Sequence, residues 1–412
     1  ENTAQVNQLI DKQLLLTTKI DSVKRHLKEN YPDWYNAKNI VSVKPIDHYQ
    51  NQVLKKNQML IEYYFAKSGV YRLMISANEV VFSELEDSET IHSLTDSLNN
   101  GILEIKDIRQ ESIQMASKLL PEIPLGVSEI IIVPDGKLTQ IPFEILIQND
   151  KYLIEDYYIS YASSFQLYEE QVTISKKKSK SGWLGFAPDY KETMLPNNKT
   201  EVSTISALTS GKAVIGSEAT KNNFLNNSKE ATILHLATHA DLDRENPMLN
   251  KMVFYEVEGQ PHELTAAEIY NLNLNASLAV LSACNTGIGK ADSGDGVLSM
   301  SRAFTYAGVS STIMSLWQVP DHETAEIMVL FYEHLKDGKA KNEALALAKR
   351  DFITNNPMKS HPYFWAGFVV NGDLSPIYEP TVHPLIWFLI GVVLVLIFWK
   401  LLLLKKKSQE KS

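Results

Sequence analysis

Between residues 59 and 84 three short runs, MLIEYYFA, VYRLMIS and EVVFSEL, are rich in β-branched, aromatic and other apolar residues and are separated by Lys-Ser-Gly and Ala-Asn. Such runs predict an antiparallel meander of short strands. Upstream, residues 1–45 set Leu9, Leu16, Ile20, Val23 and Leu27 near helical spacing in a polar background, and Pro32 ends the stretch. That segment, 1–50, is expected to be helical and to be the end of a repeat array, although no repeat of its own is visible within it. Two further helices are expected at 88–100 and 105–120, completing a small α+β region over 51–125.

From residue 128 the pattern changes. The runs SEIIIVPDG, WLGFAP, ATILHLATHA, SLAVLSACNTG, STIMSLWQV and YFWAGFVVNG are short and almost wholly apolar. Helical stretches separate several of them, at Asn198–Leu208, Lys221–Asn226, Thr265–Asn271, Gly296–Ala307 and His322–Leu335. Alternation of this kind predicts a mainly parallel sheet covered on both faces. In such sheets, sites form beyond the carboxyl ends of the strands.

The C-terminal pattern is different again. Leu385–Trp399 contains no charged or polar side chain and is followed by Lys400, Leu401–Leu404 and the basic tail 405–412. A helix over 385–404 would be about 30 Å long, the thickness of a hydrocarbon core. Trp387 and Trp399 suit the interfaces, and Lys400 can snorkel. A transmembrane helix is therefore expected there, after a linker at 376–384, with the lipid bilayer as a partner. The lysines follow the span, whereas Asn371–Pro384 carries only acidic charge. The positive-inside rule then favours a cytoplasmic tail and an extracytoplasmic bulk.

Composition narrows the function classes. A formal net charge of −9 offers no basic excess for phosphates, so a general nucleic-acid binder is excluded. The cluster Lys176, Lys177, Lys178 and Lys180 sits among serines and reads as a solvated loop. The chain has a single cysteine, Cys284, so no disulfide can form within it. No sequence feature calls for a cofactor.

Two strand ends carry the chemistry. TILHLATHA finishes at His239 and SLAVLSACNTG at Cys284, and the two strands could be neighbours in one parallel sheet. A thiol of pKa near 8.5 is only a few per cent thiolate at neutral pH, and an adjacent imidazole raises the reactive fraction. The backbone N–H groups of Ala240 and Cys284 are candidate oxyanion-hole donors. Taken singly, a lone cysteine is usually a small buried hydrophobe and a lone histidine a structural one; the pairing lifts both. His235, four residues before His239, raises the thought of a metal pair, but the stretch is a strand and lacks the Glu of a zinc-protease helix. No metal site is expected. Asp292 and Asp295, ahead of Asp241 and Asp243, could form an acidic specificity pocket; each could equally serve loop hydrogen bonds. Gly287, Gly289, Gly294 and Gly296 lack the Gly-Lys-Ser/Thr of a phosphate loop.

The stretches HLATHA, LSACNTGIGKADSGDGVLSMSRAFTYAGVSSTIMSLWQVPDHET and HPYFWAGFVVNG resemble the CHAT domain, the caspase-like domain associated with tetratricopeptide repeats and related to caspases, separases and gingipains. The resemblance runs over roughly residues 90–372. It implies a caspase-like α/β sandwich over 126–375, a peptidase dyad at His239 and Cys284, and regulation by a protein partner. Two departures from the family pattern are Ala240, where glycine is usual, and Asn285, where glutamate is frequent. Arg302 and Trp317 match the family and are expected to hold the fold. The resulting expectation is a membrane-anchored cysteine peptidase acting on a protein or peptide substrate. Its rivals are a catalytically silent scaffold and a thiol hydrolase or acyltransferase with a small substrate.

Overall fold

The computed structural model describes residues 2–30, 44–85, 87–175, 182–191, 195–243, 246–282 and 299–379. The chain divides into two compact units, Glu1–Gln52 and Val53–Ser412. The first contains the helix Asn2–Asn30, which exposes Leu14, Leu15, Leu16 and Val23. Pro32, expected to stop that helix, lies outside the described residues.

In the second unit the predicted meander is present as β1 (Gln58–Ala66), β2 (Gly69–Ser76) and β3 (Val80–Glu84). Further strands follow in order: β4 (Glu129–Val133), β5 (Ile147–Gln148), β6 (Lys151–Tyr152), β7 (Tyr158–Tyr161), β8 (Trp183–Pro188) and β9 (Lys212–Gly216). Then come β10 (Ile233–Leu236), β11 (His239–Asp241), β12 (Lys251–Val253), β13 (Glu263–Thr265), β14 (Leu278–Leu281), β15 (Ser311–Ser315) and β16 (Phe368–Gly372). Among the described residues the main sheet has 11 strands in the order β3-β2-β1-β4-β7-β16-β15-β14-β10-β8-β9. β1 pairs in parallel with β4, so the meander continues the same sheet across residue 125.

The sheet is mainly parallel, with antiparallel pairing at β1–β2, β2–β3 and β15–β16. Burial follows strand position. Every residue of β4, β8, β10, β14, β15 and β16 is buried, as expected of strands covered on both faces. The edge strand β3 instead alternates exposed and half-buried positions, leaving Phe82 on the surface. The helices Asn198–Thr209, Asp321–Lys336 and Lys341–Asn355 pack side by side, the first also against β8 and the last against β7 and β16. Trp317 is buried and donates its indole N–H to the Tyr363 carbonyl at 2.9 Å, a structural use.

Two expectations are corrected. ATILHLATHA is not one strand. It runs in the main sheet only through β10, breaks at Ala237-Thr238, and resumes as β11 in a separate three-stranded antiparallel sheet with β12 and β13. A short strand-like run gives no sign of such a change of sheet, because either half alone suits a strand. The second correction concerns the membrane. Among the described residues no helix is long and apolar enough to cross a bilayer, so placement as a single-pass membrane protein is not supported. The expected span, 385–404, and the basic tail, 405–412, lie outside the described residues.

Candidate active site

β10 and β14 are parallel neighbours, with Ile233 opposite Leu278 and Leu236 opposite Leu281. His239 follows Leu236 by three residues, and Cys284 follows Leu281 by the same number. The adjacency expected for the two strands is therefore observed, with their carboxyl ends level. Cys284, Asp292 and Asp295 lie outside the described residues, whereas His239 and Ala240 open β11.

His239 is held from two sides. Its backbone N–H donates to the Tyr190 hydroxyl at 2.8 Å, and that hydroxyl donates to the Val253 carbonyl at 2.8 Å. The Tyr190 ring also lies against the imidazole, with centroids 4.3 Å apart. Val253 is the residue opposite His239 in the β11–β12 ladder, so one phenol staples both strands where the imidazole emerges. Tyr190 stands two residues past the end of β8, again at the carboxyl edge of the main sheet. Nothing in its local sequence marks it.

Next to β11 is a cleft of about 630 Å³ lined by Asp241, Leu242, Asp243, Leu249, Lys251, Glu263 and Thr265. Lys251 sits 2.6 Å from Glu263 and 3.6 Å from Asp241. The hydrogen bond to Glu263 holds its ammonium above the ordinary lysine range. Three carboxylates thus line the cleft, two of them, Glu263 and Asp241, beside the Lys251 ammonium, and Asp241 and Asp243 are residues the sequence offered for specificity.

Beneath the strand ends lies a buried polar group that the sequence did not announce. The Glu201 carboxylate accepts from the Ser282 hydroxyl at 2.7 Å and meets His235 Nε2 at 2.8 Å through the same oxygen, Oε1. His235 Nδ1 lies 3.2 Å from the Tyr332 hydroxyl. Glu201, His235 and Tyr332 are all buried, and burial pushes the Tyr332 phenol well above its ordinary value. The Trp183 ring packs on both His235 and Tyr332. It can do so because residue 185 is glycine: a Cβ there would stand 2.2 Å from the indole. His235 is thereby committed to the interior, apart from His239, and the described residues contain no cluster of His, Cys, Asp and Glu able to hold a metal ion.

The family model of the CHAT domain matches residues 107–373. Human tetratricopeptide repeat protein 28 is 25% identical over 304 residues, covering 61% of this chain and 12% of that protein. Its mouse counterpart is 26% identical over 220 residues, covering 45% and 9%. The chain thus spans a small part of the curated relatives it matches. Among solved structures, separase in the Saccharomyces cerevisiae separase–securin complex aligns with a TM-score of 0.50 at 9% identity, over 79% of this chain and 30% of that one. The Arg-specific cysteine proteinase gingipain R aligns with a TM-score of 0.43 at 12% identity, over 71% and 76%.

Proposed function

The chain belongs to the CHAT domain family, and on that premise we propose that it is a caspase-like cysteine peptidase acting on a protein substrate through His239 and Cys284. The observation that supports this most is the level pairing of β10 with β14: Leu236 lies opposite Leu281, and in the sequence His239 and Cys284 each follow three residues later. Family membership and the separase-like fold point the same way.

In this reading the Cys284 thiolate attacks the scissile carbonyl carbon, forming a C–S bond while the carbonyl π electrons move to oxygen. The N–H groups of Ala240 and Cys284 stabilise that oxyanion. The C–N bond then breaks as His239, as imidazolium, gives its proton to the leaving amine. Water, losing a proton to His239, hydrolyses the thioester and restores the thiol. Tyr190 acts earlier, by fixing the backbone and ring of His239. Asp292 and Asp295 are proposed to favour a basic side chain before the cut. A regulatory protein partner is proposed as well, on the family resemblance to repeat-associated proteins and the apolar side chains exposed on Asn2–Asn30.

The test is labelling with a library of peptidyl electrophiles, comparing the wild type with Cys284→Ala and His239→Ala. Labelling lost in both variants, with basic peptides preferred, is the expected result. Equal labelling of wild type and His239→Ala would end the dyad reading. Absence of labelling in every condition, with a regulatory partner added, would favour a scaffold.

A further inference from the structure

A buried carboxylate is costly unless its hydrogen bonds are met, and an apolar residue of similar size is often as stable in its place. Glu201 is such a group. Its side chain is 1% exposed, and among the described residues its partners are an imidazole and a hydroxyl in place of a lysine or arginine. It stands in the first turn of the helix Asn198–Thr209, where the helix dipole favours negative charge.

The two groups it holds are not on one strand. His235 belongs to β10 and lies opposite Val280 of β14. Ser282 is two residues beyond Val280, so by the period of a strand it falls on the face that His235 shares. One oxygen, Glu201 Oε1, therefore clamps the carboxyl ends of two adjacent strands. Four residues after His235 comes His239, and two after Ser282 comes Cys284.

Resting on the Cys/His reading above, we infer that Glu201 is a positioning residue: it fixes the exits of β10 and β14, through His235 and Ser282, and so sets the distance between imidazole and thiol. It touches neither reacting group. A hydroxyl two residues before Cys284 and a carboxylate on a neighbouring helix thereby govern how far the imidazole promotes the thiol's ionisation. Small errors in such spacing are expensive for a proton-sharing pair.

These 412 residues contain one cysteine, so cysteine alkylation within them, read by peptide mass, reports Cys284. The iodoacetamide alkylation rate would be followed by mass as a function of pH for wild type, His239→Ala, Ser282→Ala, Ser282→Thr and Glu201→Gln, with melting temperature measured alongside. Ser282→Ala is expected to slow alkylation at neutral pH by about tenfold, the scale of one hydrogen bond to a charged group. Its pH profile should move towards that of His239→Ala, and Ser282→Thr, which keeps the hydroxyl, should restore it. Glu201→Gln should move the profile further, and if it does not fold the serine pair still decides. A Ser282→Ala profile that overlays the wild type while His239→Ala departs from it would overturn the inference and leave the dyad intact. So would a lower melting temperature with no change of profile. Profiles that coincide for wild type and His239→Ala would instead overturn the dyad, and the positioning role with it.

Discussion

Two regions of the sheet bury carboxylates, and they do so with different partners. Around β7 and β16, Glu144 meets Lys349 at 3.0 Å and the Tyr161 hydroxyl at 2.6 Å, while Asp373 meets Lys341 at 2.8 Å. Both ion pairs are almost wholly enclosed. Around β8, β10 and β14, Glu201 is as deeply buried but is met by His235 and Ser282. The first region answers charge with charge and ties the helix Lys341–Asn355 to its neighbours, which is what a fold-holding contact does. The second answers charge with groups whose own placement matters to the two strand exits. The contrast separates polar groups that hold the helix Lys341–Asn355 to the sheet from polar groups that aim residues at its edge.

The strongest way to break that distinction is Lys349→Met. Removing the ammonium leaves the Glu144 carboxylate enclosed with only Tyr161 to meet it, and loss of one partner of a buried pair costs about 3–5 kcal/mol. Urea unfolding should show a loss of that size, with alkylation of Cys284 by iodoacetamide unchanged under native conditions. If Lys349→Met altered the alkylation profile and left stability intact, the two regions would have exchanged roles.

A second effect spans both regions and depends on pH. Burial, together with Glu144, pushes the Tyr161 phenol well above its ordinary value of 10.0, and burial does the same for Tyr332. Tyr63 and Tyr168 are also raised, chiefly by burial. A raised folded-state pKa adds stability that is whole below the unfolded value and is lost as pH climbs from it towards the folded value. Lys341 and Lys349 work in the opposite sense, since burial lowers both, although their carboxylate partners pull them back. The tyrosine shifts are the larger set, so the urea midpoint should fall as pH rises above about 10, with the absorbance of these four buried phenols appearing only as the protein unfolds, after that of exposed residues such as Tyr64 and Tyr306. A flat midpoint with early phenolate absorbance would mean that these phenols are open to solvent.

Much of this architecture was legible in the chain. The meander and the apolar strands announced themselves through short β-rich runs bounded by turn residues, and the switch to buried parallel strands showed as short, almost wholly apolar runs separated by helical stretches after residue 128. His239 could be singled out because a polar residue ending an apolar run is rare. The change of sheet at Ala237-Thr238 was not legible, because what holds the chain beyond it is tertiary: the His239 N–H donates to the Tyr190 hydroxyl, 49 residues earlier in the chain. Glu201 was hidden for the same reason. A glutamate in a helical first turn is ordinary in sequence, and only tertiary packing shows that it faces inward, 81 residues from Ser282. The resemblance to a known family carried the pairing of His239 with Cys284 further than periodicity could.

The smallest expected effect sharpens the comparison most. Tyr332→Phe removes the hydroxyl that lies 3.2 Å from His235 Nδ1 but leaves the ring packed on His235 and Trp183. The hydrogen bond is long, so the loss should be about 1 kcal/mol or less in urea unfolding. The contact lies on the side of His235 away from Glu201, and the clamp on Ser282 does not include it. Alkylation of Cys284 should therefore keep its wild-type pH profile. If Tyr332→Phe moved that profile as far as Ser282→Ala does, the positioning role would belong to the whole buried group. Glu201 would then be one member of it, acting through the tilt of the His235 ring as much as through its bond to Ser282.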